Sequence, residues 1–165
     1  TRDITRAWDP QKAGHLFRQM AAIYDSYDRD ALKRWTPYPD ALPVLGKLSA
    51  AGYRLGVVSN IGSHAVDTLL ERYNLTHYFE IILSRNDVSH LKPSPEGLKL
   101  ALDKLCASAE RTLFVGDSLN DILAAAKVPM SSCFLLGGES RVTREKGDSA
   151  TFQISSLADL PKLLT

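Results

Sequence analysis

The sequence predicts an α/β fold, a parallel sheet covered by helices on both faces. Three observations predict it. Short apolar runs alternate with helix-spaced segments from about residue 40 onward, the pattern of successive βα units. Three of those runs deliver polar loops (Ser59-Asn60, the Lys92 loop and Gly116-Asp117) at one end of the inferred sheet, where ligands of such sheets bind. The length of 165 residues suits one domain with a small appendage.

Taken in order, residues 11–35 read as a helix whose Phe17, Met20, Tyr24 and Tyr27 form an apolar stripe. Such a stripe is expected to pack in a core or a domain interface. Thr36 to Val44 (TPYPDALPV) contains three prolines and breaks the helical pattern, placing a boundary near Tyr38. A helix follows to about Ala51, and Gly52 stops it. Arg54 to Ser59 (RLGVVS) reads as a buried strand ending in Asn60-Ile61-Gly62. The next helix starts near Ser63 and places Val66, Leu69, Leu70 and Tyr73 on one face. Phe79 to Ser84 (FEIILS) is a second strand and Ser89 to Gly97 (SHLKPSPEG) a loop. Ser94 suits an N-cap, with Pro95 at the first helical position, and this helix runs to about Cys106. Thr112 to Val115 is a third strand, followed by a short helix from about Leu119 to Lys127. Ser132 to Leu136 is a fourth strand, Thr151 to Ile154 a fifth, and Asp159 to Leu164 a closing helical turn.

Bulk properties exclude several classes. A net charge of +1 gives no reason to expect nucleic acid. No apolar run approaches a membrane span, and TRDITRAWDP lacks the apolar region of a signal peptide. Cys106 and Cys133 stand outside any CxxC or Cys/His cluster, so buried free thiols in a reducing cytosol are expected rather than a zinc site. The expected location is cytoplasmic.

Leu113 to Asp121 (LFVGDSLND) admits two chemistries. Gly-Asp-Ser-Leu could mark Ser118 as a nucleophile, which needs a base, nearly always His. All four histidines (His15, His64, His77 and His90) precede Ser118, the reverse of the order in Gly-Asp-Ser-Leu esterases. Nothing supports Lys127 or Lys146 as a substitute base. The second reading takes Asp117 and Asp121 as a carboxylate pair, four residues apart at a strand end, for Mg²⁺. Taken alone, Asp121 would equally serve the dipole of its helix. Ser59 to Gly62 offers a hydroxyl and backbone N–H groups before a helix, suited to a phosphate or simply to a cap. Lys92, in a Pro-rich loop, could meet a phosphate oxygen or only water.

In combination, and in this order, the three segments resemble the haloacid dehalogenase-like (HAD) superfamily. RLGVVSN is similar to its second motif, LKPSPEG to its third and VGDSLND to its fourth. The resemblance covers about residues 38–165 and points to the phosphoglycolate-phosphatase-like subgroup. It implies a Rossmann-like core over 39–165 and the remnant of a helical cap over 1–38. It further implies that Ser59 and Lys92 are catalytic, that Ser59, Asn60 and Lys92 bind phosphate, and that Asp117 and Asp121 hold Mg²⁺. The implied reaction is hydrolysis of a small phosphorylated metabolite through an aspartyl-phosphate.

The family's first motif, an apolar strand followed by Asp-x-Asp, has no good counterpart. The single Asp-x-Asp is Asp28-Arg29-Asp30, preceded by helix-like AAIYDSY. The resemblance therefore implies a core lacking its first strand, a chain inactive on its own as part of a longer one, and two apolar strand edges left unpaired. Self-association through those edges is expected, with no nucleic acid or membrane partner. Two alternatives remain: a non-catalytic phosphate- or metal-binding or strand-complementing module, and a phosphomutase of the same family.

Overall fold

The computed structural model describes residues 10–137 and 149–164. Lys146 lies outside them. The chain divides into two compact units, Thr1–Trp35 and Thr36–Thr165.

The first unit holds α1 (Pro10–Ala31). Its Asp30 pairs with Lys33 at 3.3 Å and Arg34 at 3.5 Å, both well exposed. The expected packing of the apolar stripe is corrected here: Met20, Tyr24 and Tyr27 are exposed. Among the described residues this unit is one helix, so no second element of the unit covers the stripe. The side chain of Phe17 lies outside the description.

The second unit alternates strands and helices: α2 (Ala41–Ala50), β1 (Gly56–Val58), α3 (Ser63–Arg72), β2 (Ile81–Leu83), α4 (Glu96–Lys104), β3 (Leu113–Gly116), α5 (Leu119–Ala125), β4 (Ser131–Leu135), β5 (Phe152–Ile154) and α6 (Leu160–Leu163). All pairings are parallel. They form two sheets rather than one, β1–β2 and β3–β4–β5. Val57 lies opposite Ile82, Val115 opposite Cys133, and Phe134 opposite Gln153.

Period-2 alternation sends side chains of the larger sheet into two layers. Cys133, Leu135 and Ile154 are buried with Val44 and Leu48 of α2 and Leu160 of α6, and Leu113 and Val115 pack against that cluster. Phe114 packs on the opposite layer, around Leu98 of α4 and Ala124 and Ala125 of α5. Helices therefore cover both faces. Within this sheet β4, flanked on both sides, buries Ser132 through Leu135, whereas every residue of β3 is only half-buried.

Helix ends follow their sequences closely. After α2, Tyr53 N–H donates to Leu48 O and Gly52 N–H to Ser49 O, each at 3.0 Å. This is the Schellman pattern, and it places Gly52 at φ +84° where a Cβ is unfavourable. Asn74 (φ 53°) ends α3 and Cys106 (φ 46°) ends α4 through the same pair of bonds.

Two expectations change here. Cys133 is buried, and burial pushes its thiol up to about 11. Cys106 is exposed rather than buried, because the residue past a helix end reverses the chain at the surface. α4 begins at Glu96, one residue later than expected, with Pro95 at the cap position and Ser94 Oγ accepting from Glu96 N–H at 3.3 Å.

Candidate active site

Three loops leave the carboxyl ends of β1, β2 and β3, and side chains from them are bonded to one another. The first carries Ser59 and Asn60. Ser59 Oγ accepts from Ile61 N–H at 3.1 Å, so part of its hydrogen-bonding capacity stabilises its own turn. Asn60 uses its side chain as a clamp. Its Nδ2 donates to Lys92 O at 3.0 Å, and its Oδ1 accepts from Lys92 N–H at 2.9 Å. Lys127 Nζ holds the neighbouring Pro93 carbonyl at 2.7 Å. Two elements thus fix the backbone of the Lys92 loop. Lys127, the substitute base considered for a serine nucleophile, is committed to that task.

Once the backbone is held, the Lys92 side chain has little freedom. Its Nζ donates to Val58 O at 2.7 Å, pairs with Asp121 Oδ1 at 2.7 Å, and lies 5.5 Å from the centre of the Phe114 ring. The Lys92 and Asp121 side chains are only 12% and 7% exposed, so this is a buried ion pair. A buried pair is tolerated when its geometry is good and its remaining polar atoms are satisfied. Among the described residues no buried side-chain nitrogen or oxygen lacks a partner.

Asp121 is positioned from the other side by a capping box. Ser118 N–H and Oγ donate to Asp121 Oδ2 at 3.0 and 2.6 Å, and Ser118 Oγ accepts from Asp121 N–H at 3.3 Å. That settles the role of Ser118: it caps α5, and its side-chain bonds go to Asp121 rather than to a histidine. The fold of the box also explains Gly116. A Cβ there would stand 2.3 Å from Asp121 Cβ, so no larger residue fits while Asp121 keeps its place.

Asp117 follows the end of β3. Its Oδ2 accepts from Tyr38 Oη at 2.7 Å. Tyr38 is a site residue that sequence reasoning missed, because TPYPD read only as a Pro-rich linker. The available signal was a single polar aromatic between two prolines, which does not by itself name a partner 79 positions away.

Ser59, Lys92, Asp117, Asp121 and Tyr38 all line one cavity of about 500 Å³. Its remaining wall is mostly apolar and comes from both sheets. Asn60 acts on the site through the Lys92 backbone.

The donors suit Mg²⁺, which takes oxygen ligands and commonly binds through one or two carboxylates plus water. Asp117 and Asp121 would hold it. Both carboxylates already carry protein partners, Tyr38 on one and Lys92 with Ser118 on the other. Among the described residues no cluster of three or more His, Cys, Asp or Glu is present, so water and phosphate oxygens would have to complete a magnesium shell.

Comparison with known proteins decides the family. The model of the haloacid dehalogenase-like hydrolases matches residues 1–135. The chain belongs to this family. The Salmonella typhi phosphoglycolate phosphatase is 38% identical over 109 residues, which are 66% of this chain and 43% of that relative. The chain thus spans less than half the length of that relative. Among solved structures, a Bacteroides fragilis protein described as a haloacid dehalogenase-like hydrolase superposes with a TM-score of 0.77 at 31% identity, covering 87% of this chain and 70% of the other. A Haemophilus somnus 129pt protein, predicted to be a phosphoglycolate phosphatase, gives a TM-score of 0.76 at 25% identity over 96% of this chain and 69% of that one. The family assignment is therefore that of the haloacid dehalogenase-like hydrolases.

Proposed function

We propose that this chain forms the phosphate- and magnesium-holding part of a HAD-type phosphatase acting on a small phosphorylated metabolite. The observation that carries the reading is the buried Lys92–Asp121 pair in the wall of the cavity, with Ser59 and Asp117 lining the same space. Ser59 Oγ and the loop N–H groups would receive the phosphoryl oxygens. The Lys92 ammonium would offset their charge, aimed by the Asn60 clamp. Asp117 and Asp121 would hold Mg²⁺, which when bound supplies charge neutralisation at the phosphoryl group. Phosphoglycolate is the first substrate to try, because it is the one named for the curated relatives.

The carboxylate nucleophile of this chemistry would come from outside the described residues. Asp28 and Asp30, the one Asp-x-Asp, sit on α1 in the other unit, and Asp30 is engaged with exposed cations. The chain by itself is therefore expected to bind inorganic phosphate in a Mg²⁺-dependent manner without turning over. Titration calorimetry with phosphate, with and without MgCl₂, measures the first part. Binding should fall at least tenfold in Lys92→Ala and lose its magnesium dependence in Asp117→Asn. Phosphate binding indifferent to both changes would sink the reading. Hydrolysis of p-nitrophenyl phosphate by the chain, abolished by Asp117→Asn, would instead locate the nucleophile within these residues.

A further inference from the structure

Tyr38 divides its side chain between two tasks. Its ring packs against the apolar cluster that includes Val44, Leu48, Cys133 and Leu135. Its hydroxyl donates to Asp117 Oδ2 at 2.7 Å. The packing needs only the ring, which a phenylalanine would supply as well. The use of the hydroxyl must therefore be sought at Asp117.

The backbone that carries Tyr38 is held from far along the chain. Asp40 stands at the N-cap position of α2, yet its side chain makes no cap bond to that helix. Its Oδ2 accepts instead from Ser156 Oγ at 2.5 Å and Ala158 N–H at 3.0 Å, 116 and 118 positions away. A helix gains stability from an aspartate cap, and here that gain is forgone for an anchor on the C-terminal segment. Tyr38 O accepts from Ala41 N–H at 3.0 Å, so residues 38–41 form one closed turn. Anchoring Asp40 thereby anchors Tyr38.

The consequence falls on the metal. Mg²⁺ is small, demands near-octahedral order and commonly takes one or two carboxylates. Ca²⁺ takes about six to eight oxygens and accepts a carboxylate through one oxygen or through both. A carboxylate tied at Oδ2 cannot close both oxygens on an ion without giving up that bond. The tie also restricts rotation of the carboxylate, and groups that orient a ligand in this way tune metal affinity. We propose that Tyr38 is a positioning residue that sets the metal preference of this site, favouring Mg²⁺ over Ca²⁺, and that Asp40 acts through Tyr38. The proposal rests on the reading of Asp117 as a metal ligand.

Titration calorimetry of the 165-residue chain with MgCl₂ and with CaCl₂ gives the two dissociation constants. Tyr38→Phe should weaken Mg²⁺ binding by about tenfold and leave Ca²⁺ binding equal or tighter, so the ratio of the constants moves toward Ca²⁺. A purely structural loss would weaken both ions alike and would lower the urea midpoint of the metal-free chain. Asp40→Ala should move the ratio in the same direction, and should move it no further when added to Tyr38→Phe. An unmoved ratio in Tyr38→Phe, or equal losses for both ions, overturns the proposal while Asp117 remains a ligand. Additive shifts in the double variant overturn the part assigned to Asp40. If the wild-type chain binds neither ion, or Asp117→Asn binds both as the wild type does, the magnesium reading itself fails and this proposal falls with it.

Discussion

Ser84-Arg85-Asn86-Asp87 and Ser118-Leu119-Asn120-Asp121 follow β2 and β3, and they fold into the same local device. In each the serine N–H and hydroxyl donate to one oxygen of the aspartate, at 2.8 and 2.6 Å in the first and 3.0 and 2.6 Å in the second. In each the serine oxygen accepts a backbone N–H in return, from Asn86 or from Asp121. The difference lies in the remaining carboxylate oxygen. Asp87 is exposed, whereas Asp121 is buried and meets the Lys92 ammonium. Four residues of matching pattern thus make a turn in one place and a candidate catalytic pair in the other. The neighbour delivered by the Asn60-clamped loop makes that difference.

Removing the two aspartates measures it. Asp121→Ala would leave the Lys92 ammonium buried without its carboxylate partner and is expected to cost about 3–5 kcal/mol in urea unfolding. A loss no larger than that of Asp87→Ala would break the comparison. Gly116→Ala comes next, because the new methyl would overlap Asp121. Overpacking of this kind costs about 1–3 kcal/mol, and phosphate binding should fall with it as Asp121 is displaced. The corresponding position of the first box is Ile82, a full side chain, so the crowding belongs to the second box alone. Asp87→Ala removes a cap and should cost about 1 kcal/mol.

The first box also sets a pH dependence. Hydrogen bonds from the Ser84 side chain, and then its backbone N–H, hold the Asp87 carboxyl below its ordinary 3.8. The folded state therefore favours the ionised form. Its contribution is present above the unfolded value and is lost as pH falls through the folded one. Below about pH 4 the wild-type chain should lose stability more steeply than Asp87→Asn, by a small margin because the group is exposed. Parallel acid-unfolding curves for the two proteins check this, and identical slopes would remove Asp87 from the acid response.

A second set of repeated devices gives the smallest effect. Gly52, Asn74 and Cys106 occupy the same left-handed position after three helices. Gly and Asn suit it, and a cysteine does not. Cys106→Gly should therefore stabilise the chain by about 1 kcal/mol in urea unfolding. A destabilised variant would mean that the exposed thiol makes a contact that outweighs its backbone strain.

Much of the fold was legible in the sequence because its signals are short-range. Gly52 marked a helix stop, Ser63 lay at a helix start, and the apolar runs of β1 to β5 stood between turn residues, although β1 and β2 are each three residues shorter than their runs, β5 is one shorter, and β3 and β4 are shifted by one residue. The apolar stripe of α1 misled, because spacing reports which residues share a face and not whether anything covers it. Cys106 misled because the type of residue suggested burial, while its place past a helix end dictated exposure. Ser59, Lys92, Asp117 and Asp121 could be named from their loops. Tyr38 could not, since a tyrosine among prolines acquires its role only when β3 brings Asp117 to it.

The amino-acid sequence by itself determined the order of strands and helices, the caps that end them and the chemical types available at each strand end. All of these depend on interactions within a few residues. Tertiary structure alone decided which of two like aspartates pairs with the buried Lys92 ammonium and which tyrosine touches the other carboxylate. Those outcomes depend on contacts between segments tens of residues apart, and no local pattern records the distance across which a backbone edge or a buried charge will find its partner.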